Sequence, residues 1–183
     1  MKWFREGPSP YQTPLAMIGA KRGQRIVVIG PASGPIAAEV ALVAGLNGHV
    51  LVIGRDPAAQ AAVDEAAAKA GALLQFETTA SARIPVDPES IDIVVLHSEL
   101  GTLDPAGAGL AVAEARRVLR AGGRVIVMER TSRPGLVGLI RGRAGHTPPF
   151  APDHAIDLLK TKGFLAVRLL ADAEGTAYVE GRR

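Results

Sequence analysis

Arg25-Ile26-Val27-Val28-Ile29-Gly30-Pro31-Ala32-Ser33-Gly34-Pro35 is the stretch that decides the fold. Ile26 to Ile29 are uninterruptedly apolar and β-branched, the pattern of a strand buried on both faces. Gly30 ends the run. Ala32, Ser33 and Gly34 are small and stand where the chain must turn sharply. From Ile36 to Ala44 the sequence is almost uncharged and reads as a helix. Strand, small-residue turn and helix in this order let backbone come close to a nucleotide-like ligand. The helix start adds free N–H groups and the positive end of a dipole. The same turn also serves tight strand–helix packing, so this stretch alone leaves a ligand loop and a packing loop equally open.

Outward from this centre the pattern repeats. His49 to Gly54 reads as a second buried strand, ending in Arg55-Asp56-Pro57, and a helix is expected from Pro57 to Lys69, closed by Gly71. Leu73–Glu77 and Ile91–Leu96 read as a third and a fourth strand. Pro105–Arg120 reads as a helix with Val112, Ala115, Val118 and Leu119 on one face, broken by Gly122-Gly123 before a fifth strand, Arg124–Glu129. Residues 130–150 are irregular and basic, a segment read as a solvated loop. Asp153–Lys162 reads as the last helix. Phe164–Leu170 and Thr176–Glu180 are so close in sequence that they must pair as an antiparallel hairpin. Upstream, Thr13 is expected to cap a short helix through Ala20 with Pro14 at its first position. Residues 1–14, with Trp3, Phe4 and Tyr11 among prolines, form an arm that straps the core or covers a ligand. Both this arm and the 130–150 segment are expected near the crevice mouth.

The fold class that follows is α/β: a doubly wound, mostly parallel seven-stranded sheet with an antiparallel C-terminal hairpin and helices on both faces. The 183 residues suit a single domain, an N-terminal arm and helix over 1–24 and a Rossmann-like core over 25–183. With no cysteine, disulfides, thiolate metal sites and cysteine nucleophiles are excluded. The histidines, His49, His97, His146 and His154, are scattered, and no spacing suggests a metal site. A net charge of +3 permits an acidic partner without demanding one and gives no ground for a nucleic-acid partner. No charged-then-apolar leader and no apolar run near ~18 residues occur, so no membrane span and a cytoplasmic location are expected.

A ligand of such a sheet lies beyond the carboxyl ends of its first strands, at the switch point. Gly30–Gly34, Arg55–Asp56, Thr78–Ala82 and His97–Glu99 therefore converge on one crevice. His97 is the candidate base, since a histidine titrates near neutrality. A histidine that merely bonds a neighbouring loop is the plainer alternative. Asp104 and Glu129 are expected to cap or pair locally.

Three passages carry a likeness to a family. They are Gly23-Gln24-Arg25-Ile26-Val27-Val28-Ile29-Gly30, Pro85-Val86-Asp87-Pro88-Glu89-Ser90-Ile91-Asp92-Ile93-Val94-Val95, and Ala115-Arg116-Arg117-Val118-Leu119-Arg120-Ala121-Gly122-Gly123-Arg124-Val125. Together with the closing Leu158-Leu159-Lys160-Thr161-Lys162-Gly163-Phe164 and its hairpin, the chain resembles the class I S-adenosylmethionine-dependent methyltransferases over nearly its whole length. The resemblance implies S-adenosylmethionine as cofactor, and a small molecule is expected as methyl acceptor because the sequence shows no added recognition domain. The binding positions it implies are Gly30, Pro31, Ala32, Ser33, Gly34, Arg55, Asp56, Ala80, Ser81 and His97. Asp56 matches the second-strand acid that accepts from the ribose hydroxyls. Three positions depart from the family. Val28 and Ala80 stand where it has acids, and Ala32 stands for the middle glycine of its loop. These departures imply weaker cofactor binding.

Two other readings fit the same pattern. Gly30–Ile36 also looks like the loop of short-chain dehydrogenases, with Arg55 placed to meet a 2′-phosphate, so an NAD(P)-binding protein is one. Its catalysis needs a Tyr-x-x-x-Lys pair, and neither Tyr11 nor Tyr178 has a lysine four residues later. The other is a non-catalytic module that kept the fold.

Overall fold

Ile26 and Val28 point into one hydrophobic core and Val27 and Ile29 into another, so alternate residues of the first strand serve both faces of the sheet. The computed structural model describes residues 9–131 and 151–183. In it α1 (Gln12–Ile18) leads to β1 (Arg25–Ile29), α2 (Gly34–Ala44), β2 (His49–Gly54), α3 (Ala59–Ala70), β3 (Gln75–Thr78) and β4 (Ile91–His97). A 3-10 turn, Leu100–Thr102, precedes α4 (Pro105–Val118) and β5 (Leu119–Arg130). The chain resumes with α5 (Pro152–Thr161), β6 (Leu165–Ala173) and β7 (Thr176–Arg182).

The seven strands lie in the order β3-β2-β1-β4-β5-β7-β6. β1 is central, pairing in parallel with β2 (Val27 beside Leu51) and with β4 (Val27 beside Val94). β7 runs antiparallel to β5 and, as the short connection at 174–175 requires, to β6. This hairpin separates the fold from one that continues with parallel strands. Residues of α1, α2 and α3 share the core of Ile26 and Val28, while those of α4 and α5 share that of Val27 and Ile29. Helices therefore cover both faces. Among the described residues no helix is long and apolar enough to cross a membrane.

Some boundaries differ from the sequence reading. Thr13 lies inside α1 and does not cap it. Tyr11 precedes the helix without a side-chain cap bond, and Gly19 ends it in the left-handed region. α3 starts at Ala59 because Pro57 and Ala58 belong to a turn held by Asp56. β5 begins at Leu119, ahead of the double glycine. Its register against β4 jumps from Ile91–Leu119 to Ile93–Arg124, so the glycines bulge within the strand and do not precede it. Trp3, Phe4 and most of the basic 130–150 segment fall in residues 1–8 and 132–150, outside the described residues.

One buried ionic knot ties the two ends of the described chain together. Glu180 of β7 is almost fully buried and bonds Arg124 Nη1 of β5 at 3.0 Å and Arg168 Nη2 of β6 at 2.8 Å. Arg124 Nη2 also donates to the Ile18 carbonyl at 2.6 Å, fixing the end of α1 against the sheet.

Candidate functional site

Gly30 leaves β1 with φ +147°, a conformation open to glycine and hardly to any other residue. A Cβ on Gly30 would stand 1.9 Å from the His97 carbonyl oxygen. The loop after β1 is thus pressed against the end of β4. Ser33, buried just before α2, brings its Oγ to 3.4 Å from His97 Nδ1. Pro31 and Ala32 form the exposed tip of the turn. Gly34 serves packing: a Cβ there would lie 3.1 Å from the Val63 Cα, so the glycine lets α2 and α3 approach.

The other expected residues divide. Arg55, just past β2, reaches over the end of β1 to the turn after β4. Its Nη2 donates to Thr102 Oγ1 at 2.7 Å, and its Nε stands 3.5 Å from Glu99 Oε1. Asp56 is exposed, and its Oδ1 accepts the Ala58 N–H at 2.9 Å, within its own turn. Ala80 is exposed and Ser81 buried in the turn after β3, which Thr79 joins to the Gly54 carbonyl at 3.0 Å. Val28 lies wholly in the core beneath α2, where its side chain packs and does not face the crevice. The structure thus brings Gly30, Ser33 and His97 into contact, and brings Arg55 to Glu99 and Thr102.

A cavity of about 650 Å³ opens beside this crevice, between α2 and α3, and shares with it the loop from Gly30 to Gly34. Tyr11, Ala62, Ala66 and Phe76 also line it. α3 lines it with the small side chains of Ala59, Ala62, Ala66 and Ala70 and buries only Val63.

Electrostatics single out two groups. Burial lowers the His97 pKa, so the ring is neutral at neutral pH. Glu129, at the end of β5, is also buried. It accepts the Leu100 N–H at 2.7 Å and so caps the 3-10 turn after β4, a capping role as expected but toward a turn distant in sequence. Asp104 likewise caps α4 by accepting the Gly107 N–H. Burial pushes the Glu129 carboxyl up to about 7, against the pull of its backbone hydrogen bonds, with the neighbouring Glu99 adding to the rise. The unfolded chain releases that proton near 4.5, whereas the folded protein holds it until about pH 7. Stability from this group therefore falls as pH climbs from about 4.5 to about 7. The expected fall is roughly 2–4 kcal/mol, at about 1.4 kcal/mol per pKa unit. Glu129→Gln should flatten it, as read from urea unfolding at pH 5 and pH 7.5. An equal fall in the variant would assign the dependence elsewhere.

The sequence pointed to Glu99 only by its place after β4 and gave no sign of Thr102. Their meeting with Arg55 joins positions far apart in the chain.

Comparison with known proteins adds three findings. A family model described as a methyltransferase domain matches residues 26–123. No curated protein matches the chain. Among solved structures, a SAM-dependent methyltransferase from Aquifex aeolicus is 16% identical with a TM-score of 0.77, over 96% of this chain and 93% of its own. The YcgJ protein from Bacillus subtilis is 13% identical with a TM-score of 0.69, over 93% of this chain and 96% of its own. An arsenic(III) S-adenosylmethionine methyltransferase from Chlamydomonas reinhardtii is 22% identical with a TM-score of 0.65, over 88% of this chain and 62% of its own. The chain spans 55% of the length of three further matches. At these identities the likeness is one of fold.

Proposed function

We propose, from the premise that this chain belongs to the methyltransferase domain family, that it transfers a methyl group from S-adenosylmethionine to a small-molecule acceptor in the crevice beyond β1, β2 and β4. Its fold is the class I S-adenosylmethionine-dependent methyltransferase fold, and S-adenosylmethionine is the cofactor of that fold and family. The observation that carries the reading is the close seat of the loop after β1 on the end of β4, with Gly30 against the His97 carbonyl.

The residues present fit this cofactor through backbone more than through side chains. The exposed turn at Pro31 and Ala32 leaves room above the loop, and the methyl of Ala32 points from an open tip. Gly30 to Gly34 would hold the cofactor by main-chain groups. Asp56, exposed and bonded to its own turn through Oδ1, would offer Oδ2 to the ribose hydroxyls, and Ala80 and Ser81 would flank the adenine. When bound, the cofactor supplies an electrophilic methyl on a sulfonium. The protein's part is to align the acceptor with it and exclude water.

His97 is the base of this reading. In the tautomer whose Nδ1–H donates to Ser33 Oγ, Nε2 keeps its lone pair and takes the proton of the acceptor. Neutrality, enforced by burial, makes that lone pair available at pH 7.

Calorimetry with S-adenosylmethionine, S-adenosylhomocysteine, NAD and NADP tests the assignment. The two sulfur nucleosides should bind and the dinucleotides should not. Tightest binding by NADP, with Arg55 on its 2′-phosphate, would sink the reading. Once an acceptor is found, His97→Gln should lower kcat by roughly 10²-fold or more while leaving S-adenosylhomocysteine affinity in place. An unchanged kcat would remove His97 from the chemistry.

A further inference from the structure

We infer that Glu99 and Arg55 form a clamp for the amino-acid end of the methyl donor, Glu99 taking its ammonium group and Arg55 its carboxylate; this rests on the donor reading above. Glu99 is 2% exposed, yet its Oε1 has no hydrogen bond. Native structures seldom leave a buried carboxylate oxygen without a donor. Arg55 Nε, at 3.5 Å, is close enough to offset the charge but longer than a normal hydrogen bond. The guanidinium is engaged elsewhere, through Nη2 to Thr102 Oγ1 at 2.7 Å. Opposite charges therefore stand side by side, each without its full set of partners.

Their mobility differs. The turn carrying Glu99 is fixed: Ser98 sits at φ +51° and donates its N–H to the Met128 carbonyl at 2.8 Å, and Glu129 holds the Leu100 N–H. Arg55 is 44% exposed on a long side chain and swings at little cost. Because β2 and β4 flank β1, the line from Arg55 to Glu99 crosses the carboxyl end of β1, above Gly30. A ligand seated on that loop comes between them.

An ammonium and a carboxylate on one carbon fit this gap. The ammonium gives Glu99 Oε1 the donors it lacks, and the carboxylate accepts two parallel bonds from the guanidinium.

The test compares S-adenosylhomocysteine with 5′-methylthioadenosine, which keeps the nucleoside and thioether but has no amino-acid end. Both are titrated calorimetrically into the full chain. Wild type should bind S-adenosylhomocysteine more tightly. Glu99→Gln should weaken that ligand roughly ten- to a hundredfold and leave 5′-methylthioadenosine within about twofold, the range expected for one charge-assisted hydrogen bond. Arg55→Met, at an exposed position, should do the same and is independent of any folding defect in the buried variant. Equal weakening of both ligands, or of neither, overturns the clamp while the donor reading stands. If wild type binds neither nucleoside, both fall together.

Discussion

Gly30→Ala should cost about 4 kcal/mol of stability, the upper range for single substitutions. Two effects add. The added methyl would lie 1.9 Å from the His97 carbonyl oxygen, a backbone atom that cannot swing aside. In addition, φ +147° is strained for any residue with a Cβ. The loop must lift off β4 or β4 must shift, and either movement also breaks the Ser33–His97 contact. In a thermal melt the midpoint should fall by roughly 8–16 °C for a chain of this size. A fall of only a degree or two would mean that the loop does not press on β4 as described. Ala32→Gly, two residues on at an exposed tip, should be nearly silent and separates this packing demand from a general intolerance of the loop.

Glu180→Ala is the second large effect, at about 3 kcal/mol. Removing one partner of a buried pair leaves the other charge stranded. Here that charge is Arg124, which Glu180 meets at 3.0 Å and which also donates to the carbonyls of Ile18 and Gly19 at the end of α1. The loss sits at the low end for a buried pair because Arg168, the third member, is largely exposed and screened. Burial raises the Glu180 pKa, but the hydrogen bonds from Arg124 and Arg168 outweigh it and hold the carboxyl below its ordinary range. The stabilisation is thus present at neutral pH and disappears as acid drives the folded carboxyl through its lowered pKa. Urea unfolding at pH 7 measures the loss. Arg168→Ala should cost under about 1 kcal/mol in the same experiment. A Glu180→Ala loss no larger than that would show the buried end of the network to be as screened as the exposed one.

Much of this architecture was legible because burial on both faces leaves so plain a mark. Ile26 to Ile29, His49 to Gly54 and Ile91 to Leu96 are apolar runs too short for helices, and each proved to be a central parallel strand. The hairpin followed from the short connection between its two strands. The double glycine misled, because Gly122-Gly123 signals a break in any local reading. What keeps it within β5 is Arg183, whose N–H bonds the Gly123 carbonyl at 3.0 Å and whose carbonyl accepts from Gly122. No window around residue 122 contains that partner.

The site was legible in position more than in detail. Strand order places the ends of β1, β2 and β4 together, so the relevant loops could be named beforehand. Side-chain direction could not. Arg55 and Asp56 are adjacent, yet Arg55 crosses to Thr102 while Asp56 bonds its own turn. Which of two neighbours looks inward depends on the exit angle of β2 and on a hydroxyl nearly fifty residues away. Val28 is the opposite case. Strand alternation alone sends it into the core with Ile26, and the structure agrees.

The place of β7 between β5 and β6 has a consequence for the chain as it is made. β5 finds β4 on one side early, but its other edge waits for β7: Val127 pairs with Val179 and Met128 with Tyr178. Until those residues leave the ribosome, a long strand carrying Val125, Ile126 and Val127 shows an open row of backbone donors and acceptors. Such an edge is a template for any strand it meets. The nascent protein is therefore most prone to stick to its neighbours in the interval between completing β5 and releasing β7. The β6–β7 hairpin needs only local contacts and forms in about microseconds, but the interval ends only when β7 docks on β5, a pairing distant in sequence.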